Sequence, residues 1–277
     1  MTLPCNTSLS LRLRLSKAAT HPLFGRLVPG LLAVGLLCLV YAATLQRDIN
    51  GSAHDYVLDT GEIQVALNVW GTIHYTGYPL YTVLSALFTE VAGGLGMPPS
   101  LAASATSMIW SLLALLVFYR VLGYIVPGNP ILAGLIVLIV GLVETFWLHS
   151  VIAEVYSFSL LLVSLALLLG IQLREGWQPG KWLAVVFVLG TAVVHHRILL
   201  FLLPLILLLA WPQPWLWFQQ GIRYVFYSFL AFLVPFLAYL YLPLRAYQGA
   251  LWVYGQPDTW SGFWQQVTGS EVVGGLL

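Results

Sequence analysis

Two carboxylates three residues apart, Asp59 and Glu62 in "DTGE", are followed by a histidine, His74, and by "GYPLY" at 77–81. A carboxylate within hydrogen-bond reach of a hydroxyl can take its proton while that oxygen attacks an electrophile, and a second carboxylate can orient the reactants. On a continuous helix Asp55, Asp59 and Glu62 share one face. The same spacing fits a capping box, in which Asp59 accepts from early backbone N–H groups and Glu62 reaches back. The two roles are compatible. Ile63, Ala66, Leu67 and Trp70 follow at helical intervals and give the apolar side of an interfacial helix. His74 on its own is better explained as a surface turn residue than as a ligand or base. Tyr78 follows a glycine turn and is expected to be extended because it precedes Pro79.

A second polar group lies in "ETFWLHSVIAEVYS", 144–157, where Glu144, His149, Glu154 and Tyr156 interrupt two apolar runs. A polar loop with a tyrosine at the membrane interface explains it plainly. Glu154, however, stands directly before a long uncharged run, and an ionisable group at that depth needs a partner or a cavity. "HHR", 195–197, places His195, His196 and Arg197 between two apolar segments, and Arg245 follows "YLYLPL". Either arginine can snorkel to lipid phosphate. Either can equally clamp the phosphate of a bound substrate, since guanidinium matches phosphate with two parallel hydrogen bonds. The sequence requires no cofactor. Asp59, Glu62 and Glu154 offer oxygen ligands suited to a hard divalent ion, whereas no His-x-x-x-His or cysteine pair argues for zinc.

The elements that must position these groups are membrane helices. Of the 277 residues 60% are hydrophobic and 8% charged, and mean hydropathy is +0.89. A soluble domain carries about a quarter charged residues. The net charge of +1 says nothing about nucleic acid, and no lysine or arginine cluster supports it, so no nucleic-acid partner is expected. Cys5 in the basic head and Cys38 in an apolar run do not suggest a disulfide framework. Uncharged runs predict spans at roughly 27–45, 101–119, 122–143, 155–173, 182–194, 198–218 and 224–243, each near the ~20 residues a bilayer requires. Residues 182–218 are read as two segments broken at "HHR" rather than as one long helix. Residues 78–95 are read as not crossing. Arg12, Arg14, Lys17, Arg26, Arg120, Arg174, Lys181 and Arg223 then fall on the cytoplasmic side, against Arg47, Arg197 and Arg245 outside, as basic residues should. Seven spans result, with the N-terminus in the cytoplasm and the first apolar run retained as a helix. Residues 1–26 form a basic head, 27–245 the membrane module with an outer loop at 46–100, and 246–277 an interfacial tail rich in tryptophan and tyrosine. The same topology carries Asp59, Glu62, Glu154, His74, His149, His195 and His196 to the outer face.

Taken in order, "DTGE" 59–62, His74 with "GYPLY" 77–81, "WLHSVIAEVYS" 147–157 and "HHRILLFLLPLILLL" 195–209 resemble the membrane glycosyltransferase-C superfamily. Within it, the match is to a bacterial family related to the eukaryotic transmembrane O-mannosyltransferase that acts on plexin-type receptors. The resemblance covers roughly residues 30–270. It implies an all-α polytopic fold with interfacial helices in the first outer loop and one carboxylate of that loop facing another from the second. It also implies a polyprenyl-phosphate sugar donor, a protein or glycan acceptor and an active site on the extracytoplasmic side of a bacterial inner membrane. Tyr75 and Thr76 replace the Pro-Pro frequent in the family, and His195-His196 its Asn-His. Relatives are also commonly longer, carrying a soluble outer domain that helps to select an acceptor.

On this reading Asp59 is the base, and Glu62 and Glu154 orient the sugar or acceptor. His74, Tyr78, His149, Tyr156, His195, His196, Arg197 and Arg245 bind substrate. Two rivals come from other classes: a transporter of a polar or lipid-linked solute, and a non-catalytic lipid-binding or assembly subunit. A transporter is expected to bury its ionisable groups near the midplane, often in paired repeats, and no repeat is evident here.

Overall fold

The computed structural model describes residues 23–49 and 58–269, and every regular element among them is helical. Calls on Cys5, on the basic residues of the head before Leu23, on His54 and Asp55, and on Glu271 lie outside the described residues. Helix α1 (Leu23–Thr44) leads to α2 (Leu58–Asn68) and α3 (Pro79–Gly94). Then come α4 (Pro99–Ile125), α5 (Pro130–Leu142), α6 (Glu144–Val151), α7 (Tyr156–Glu175) and α8 (Pro179–His195). A 3-10 turn (Arg197–Phe201) opens α9 (Leu202–Ala210), followed by α10 (Gln213–Gln219) and α11 (Ile222–Leu233). A second 3-10 stretch (Val234–Leu240) joins α11 to α12 (Tyr241–Tyr247), and α13 (Trp260–Thr268) lies in the tail.

Four helical runs are each long and apolar enough to cross a membrane: Gly25–Thr44, α4, α7 and the continuous run Ile222–Tyr247. Two more pass only as bent pairs, α5 with α6 at 70° and Arg197–Ala210 with α10 at 85°. The chain is thus an all-α polytopic integral membrane protein, with four to six spans among the described residues by length and composition, where about seven were expected. The remaining expected segment corresponds to α8, a shorter apolar helix of 17 residues. At 16 residues, α3 is not among the helices that qualify, consistent with an element that does not cross.

Two boundaries differ from expectation for a clear reason. Arg120 was expected to end one span, yet α4 runs past it to Ile125, because an exposed arginine near a helix end can reach polar surroundings without breaking the helix. The break comes at "PGNP", where Gly128 adopts φ 84° and the Asn129 side chain accepts from the Leu132 N–H at 3.0 Å, capping α5. "ETFWLHSV", expected as a loop, forms α6. The break at "HHR" is where expected: α8 ends at His195, and His196 is extended at φ −148° and ψ 112°.

The inner surface of α4 carries Ser100, Ser104, Ser107 and Ser111, all buried and spaced three or four residues apart. Such small polar residues let neighbouring backbones approach closely and supply hydrogen bonds where no water is present. Ser111 accepts from Ser150 of α6 at 2.8 Å, and Ser100 donates to the Arg47 carbonyl. The apolar side of α2 packs inward, with Ile63, Ala66 and Leu67 fully buried against Tyr81, Ala103, Ala153 and Val155. This is the side of α2 that the apolar spacing marks for burial, and it is covered by protein.

Candidate active site

The first turns of α2 present Asp59, whose side chain is 53% exposed, and Glu62. Both Glu62 oxygens are taken by His74: the His74 backbone N–H donates to Oε1 at 2.8 Å, and ring Nδ1 meets Oε2 at 2.9 Å. Glu62 therefore does not reach back as the second half of a capping box, and Asp59 lies inside the helix rather than at its cap. A carboxylate only accepts, so the proton sits on Nδ1, and Nε2 is turned to Asp59 Oδ2 at 3.6 Å. Burial opposes charging of this ring. The hydrogen bond and charge of Glu62, with the charges of Asp59 and Glu154, outweigh it and raise the His74 pKa above the ordinary value. His74 is thus a bound partner of both carboxylates, not an isolated turn residue.

The loop that brings His74 back to α2 bends sharply. Trp70 (φ 53°), Gly77 (φ 81°) and Tyr78 (φ 39°) all lie in the left-handed region. Tyr78 was expected to be extended before proline. It is left-handed instead, a conformation that costs a bulky residue of order 1 kcal/mol or more and that its burial offsets. Its ring lies 5.5 Å from that of His74 and 5.4 Å from that of His195. Burial, then the nearby Tyr156, Asp59, Glu154 and Glu62, push its phenol pKa up.

Glu154 enters from the connection between α6 and α7. Its carboxylate is buried and accepts from Thr60 Oγ1 at 3.5 Å, which sets it beside α2. Ser107 of α4 fixes its backbone from both sides, accepting from the Glu154 N–H at 2.9 Å and donating to the Glu154 carbonyl at 3.0 Å. Burial and then the charge of Asp59 push the Glu154 pKa up to about 7, against the Val155 N–H, His74 and Thr60.

A line of rings extends from this centre. Tyr78 neighbours His196 at 6.4 Å, His196 neighbours Tyr156 at 6.1 Å, and Tyr156 neighbours His149 at 4.9 Å. Burial lowers the pKa of His196. The structure thus groups Asp59, Glu62, His74, Tyr78, Glu154, Tyr156, His149, His195 and His196. The arginines point elsewhere. Arg245 Nε donates to the Trp70 carbonyl at 2.6 Å and Nη2 to the Val69 carbonyl at 3.4 Å, so its fork covers the end of α2. Arg197 is exposed and donates to the Thr268 carbonyl. Ligand atoms of Asp59, Glu62 and His74 lie within 4.8 Å of one another, so His74 completes the compact group where Glu154 was expected.

Thr60, Ser107, Tyr254 and Gln266 were not anticipated. Gln266 is fully buried and donates to the Ile73 carbonyl at 2.9 Å. The Tyr254 N–H donates to Thr72 Oγ1 at 2.7 Å, and its ring lies 6.3 Å from that of His74. The serine spacing on α4 is a readable signal for Ser107; the tail residues carry none.

A family model described as the N-terminal domain of protein O-mannosyl-transferase TMEM260 matches residues 59–216. The chain belongs to this family. The match opens at Asp59 and runs through His74, Glu154 and "HHR", whereas Arg245 and the tail lie beyond it. The protein O-mannosyl-transferase TMEM260 of Mus musculus is 28% identical over 244 residues, covering 81% of this chain. The chain spans 31% of the length of that relative. No solved structure matches it.

Proposed function

We propose that this chain is the membrane module of a glycosyltransferase that moves a hexose, of the mannosyl type, from a polyprenyl-phosphate donor to a hydroxyl of a protein or glycan. The observation that carries this reading is the Asp59 carboxylate. It is half exposed, stands 3.6 Å from His74 Nε2, and is backed by a histidine that Glu62 holds through two hydrogen bonds. Family membership and the relative's name supply the reaction class.

Asp59 accepts the proton of the acceptor hydroxyl as its oxygen attacks the anomeric carbon. The bond from that carbon to the phosphate oxygen breaks, and polyprenyl phosphate leaves with the electron pair. His74, kept cationic more readily than an ordinary imidazole, steadies the carboxylate charge. Glu154, titrating near neutrality, presents either a hydrogen-bond donor or an acceptor to a substrate hydroxyl. His196, beside Tyr78 and Tyr156, is the group of this cluster available to donate to the leaving phosphate. The oxygen and nitrogen atoms of Asp59, Glu62 and His74 also suit a divalent ion. The division of basic residues in the sequence supports an extracytoplasmic position for this site. Purified protein should release polyprenyl phosphate from a polyprenyl-phosphate hexose in the presence of a hydroxyl acceptor. A complete lack of transfer across mannosyl and glucosyl donors removes this reading in favour of a non-catalytic lipid-binding subunit.

A further inference from the structure

His195, expected among the substrate-binding residues, is the most deeply buried of the histidines in this cluster. It is 1% exposed and ringed by Tyr78, Tyr81 and Phe158, with centroids at 5.4, 5.9 and 5.0 Å. Its Nε2 lies 3.0 Å from the Val155 carbonyl. A carbonyl only accepts, so the proton is on Nε2. Nδ1 has no partner, which leaves the bond to Val155 as the single hydrogen bond of a fully buried imidazole. Burying such a ring without a purpose is costly, because an apolar residue would fill the same aromatic surroundings without leaving a polar atom unpaired. The Val155 carbonyl receives otherwise only a long 3.5 Å bond from the Ser159 N–H, so His195 is its main partner.

We infer that His195 is a positioning residue: the last residue of α8 latches the Val155 carbonyl and thereby holds Glu154 beside Thr60 of α2. Ser107 fixes Glu154 from the α4 side, and His195 fixes the next residue from the α8 side. The backbone that carries the carboxylate is held from two directions, as a group that must meet a substrate requires. This role rests on the transferase reading for its effect on turnover, but the latch itself is independent of it.

The test compares His195→Leu, which fills the space without a donor, with His195→Gln, whose amide nitrogen reaches a position close to Nε2. Two quantities are read on the full chain in lipid nanodiscs. Amide hydrogen exchange over residues 152–159 should rise about tenfold in His195→Leu, on the scale of one lost hydrogen bond, and return towards wild type in His195→Gln. Turnover should fall by a similar factor in His195→Leu at unchanged donor KM, with recovery in His195→Gln. Unchanged exchange in His195→Leu overturns the latch. Increased exchange with undiminished turnover, or equal loss in both variants, overturns the positioning role. A wild-type protein without transfer removes the transferase reading and the effect on turnover together, while the exchange data still decide the latch.

Discussion

At the residue scale, the pairing of His74 with Glu62 separates the two explanations of "DTGE". Asp59 is not the cap, so Asp59→Asn should change stability by no more than about 0.5 kcal/mol, the usual range for a half-exposed side chain. Turnover should drop about 100-fold or more, the usual contribution of a general base, with a much smaller change in donor affinity. Transfer at a near-normal rate by this variant would take Asp59 out of the chemistry. Two raised pKa values also fix the sign of a pH dependence. The folded protein keeps the Glu154 proton up to about pH 7, whereas the ordinary value is 4.5. The folded state binds more protons in that window, so stability falls as pH rises through it, by up to about 3 kcal/mol. His74 acts in the same sense: its contribution is complete below the ordinary imidazole value and is lost as pH rises through its higher folded value. His196, whose pKa burial lowers, pulls the other way, so the reading is a difference: the thermal midpoint of the wild type in detergent, relative to that of Glu154→Gln, should decline from pH 5 to pH 8. A difference that climbs over this range contradicts the Glu154 assignment.

At the scale of elements, α2 is held at its end by an arginine and at its start by the loop that returns His74. Arg245→Lys keeps the charge but loses the fork over Val69 and Trp70, and should cost about 1–2 kcal/mol of stability, on the scale of charged hydrogen bonds. Donor affinity should hardly change; a large loss of affinity at preserved stability would return Arg245 to the phosphate. Gly77→Ala forces a side chain into φ 81° with Leu242 Cδ atoms 2.9 Å from the added Cβ. A loss of about 1–3 kcal/mol, the scale of strain plus crowding, and slower turnover should follow, read by denaturation and assay. Much at this scale was legible in the sequence. The apolar interval from Ile63 to Leu67 predicted which side of α2 is covered, and "HHR" predicted a break. The partner of Glu62 was not legible, because a capping box and a link to a histidine twelve residues on use the same residue types. Nor was the end of α4, since Arg120 resembled a boundary while "PGNP" carried the actual turn chemistry.

At the scale of the whole molecule, composition and hydropathy defined an all-α membrane protein, and each predicted span has a counterpart. The number of independent crossings was less legible, because local hydropathy does not mark the bend at Val143, and "WPQP" after Ala210 is a turn signal set within an apolar run. Sidedness can be measured directly. In a background lacking Cys5 and Cys38, Pro98→Cys and Asp258→Cys should react with an impermeant thiol reagent from one side, and Gly176→Cys and Gly180→Cys only from the other. Reaction of Pro98→Cys and Gly176→Cys from the same side would undo the proposed placement of the site. The short loop around His74 has one further property. Thr72 donates its N–H to the Trp252 carbonyl, Ile73 is held by Gln266, and Trp70 by Arg245, so residues near 70 depend on residues near 250 and 265. A ribosome makes the former before the latter, and helices enter the membrane in that order. The helices up to α11 can therefore be inserted and packed before the loop around His74 has met the partners that hold its backbone.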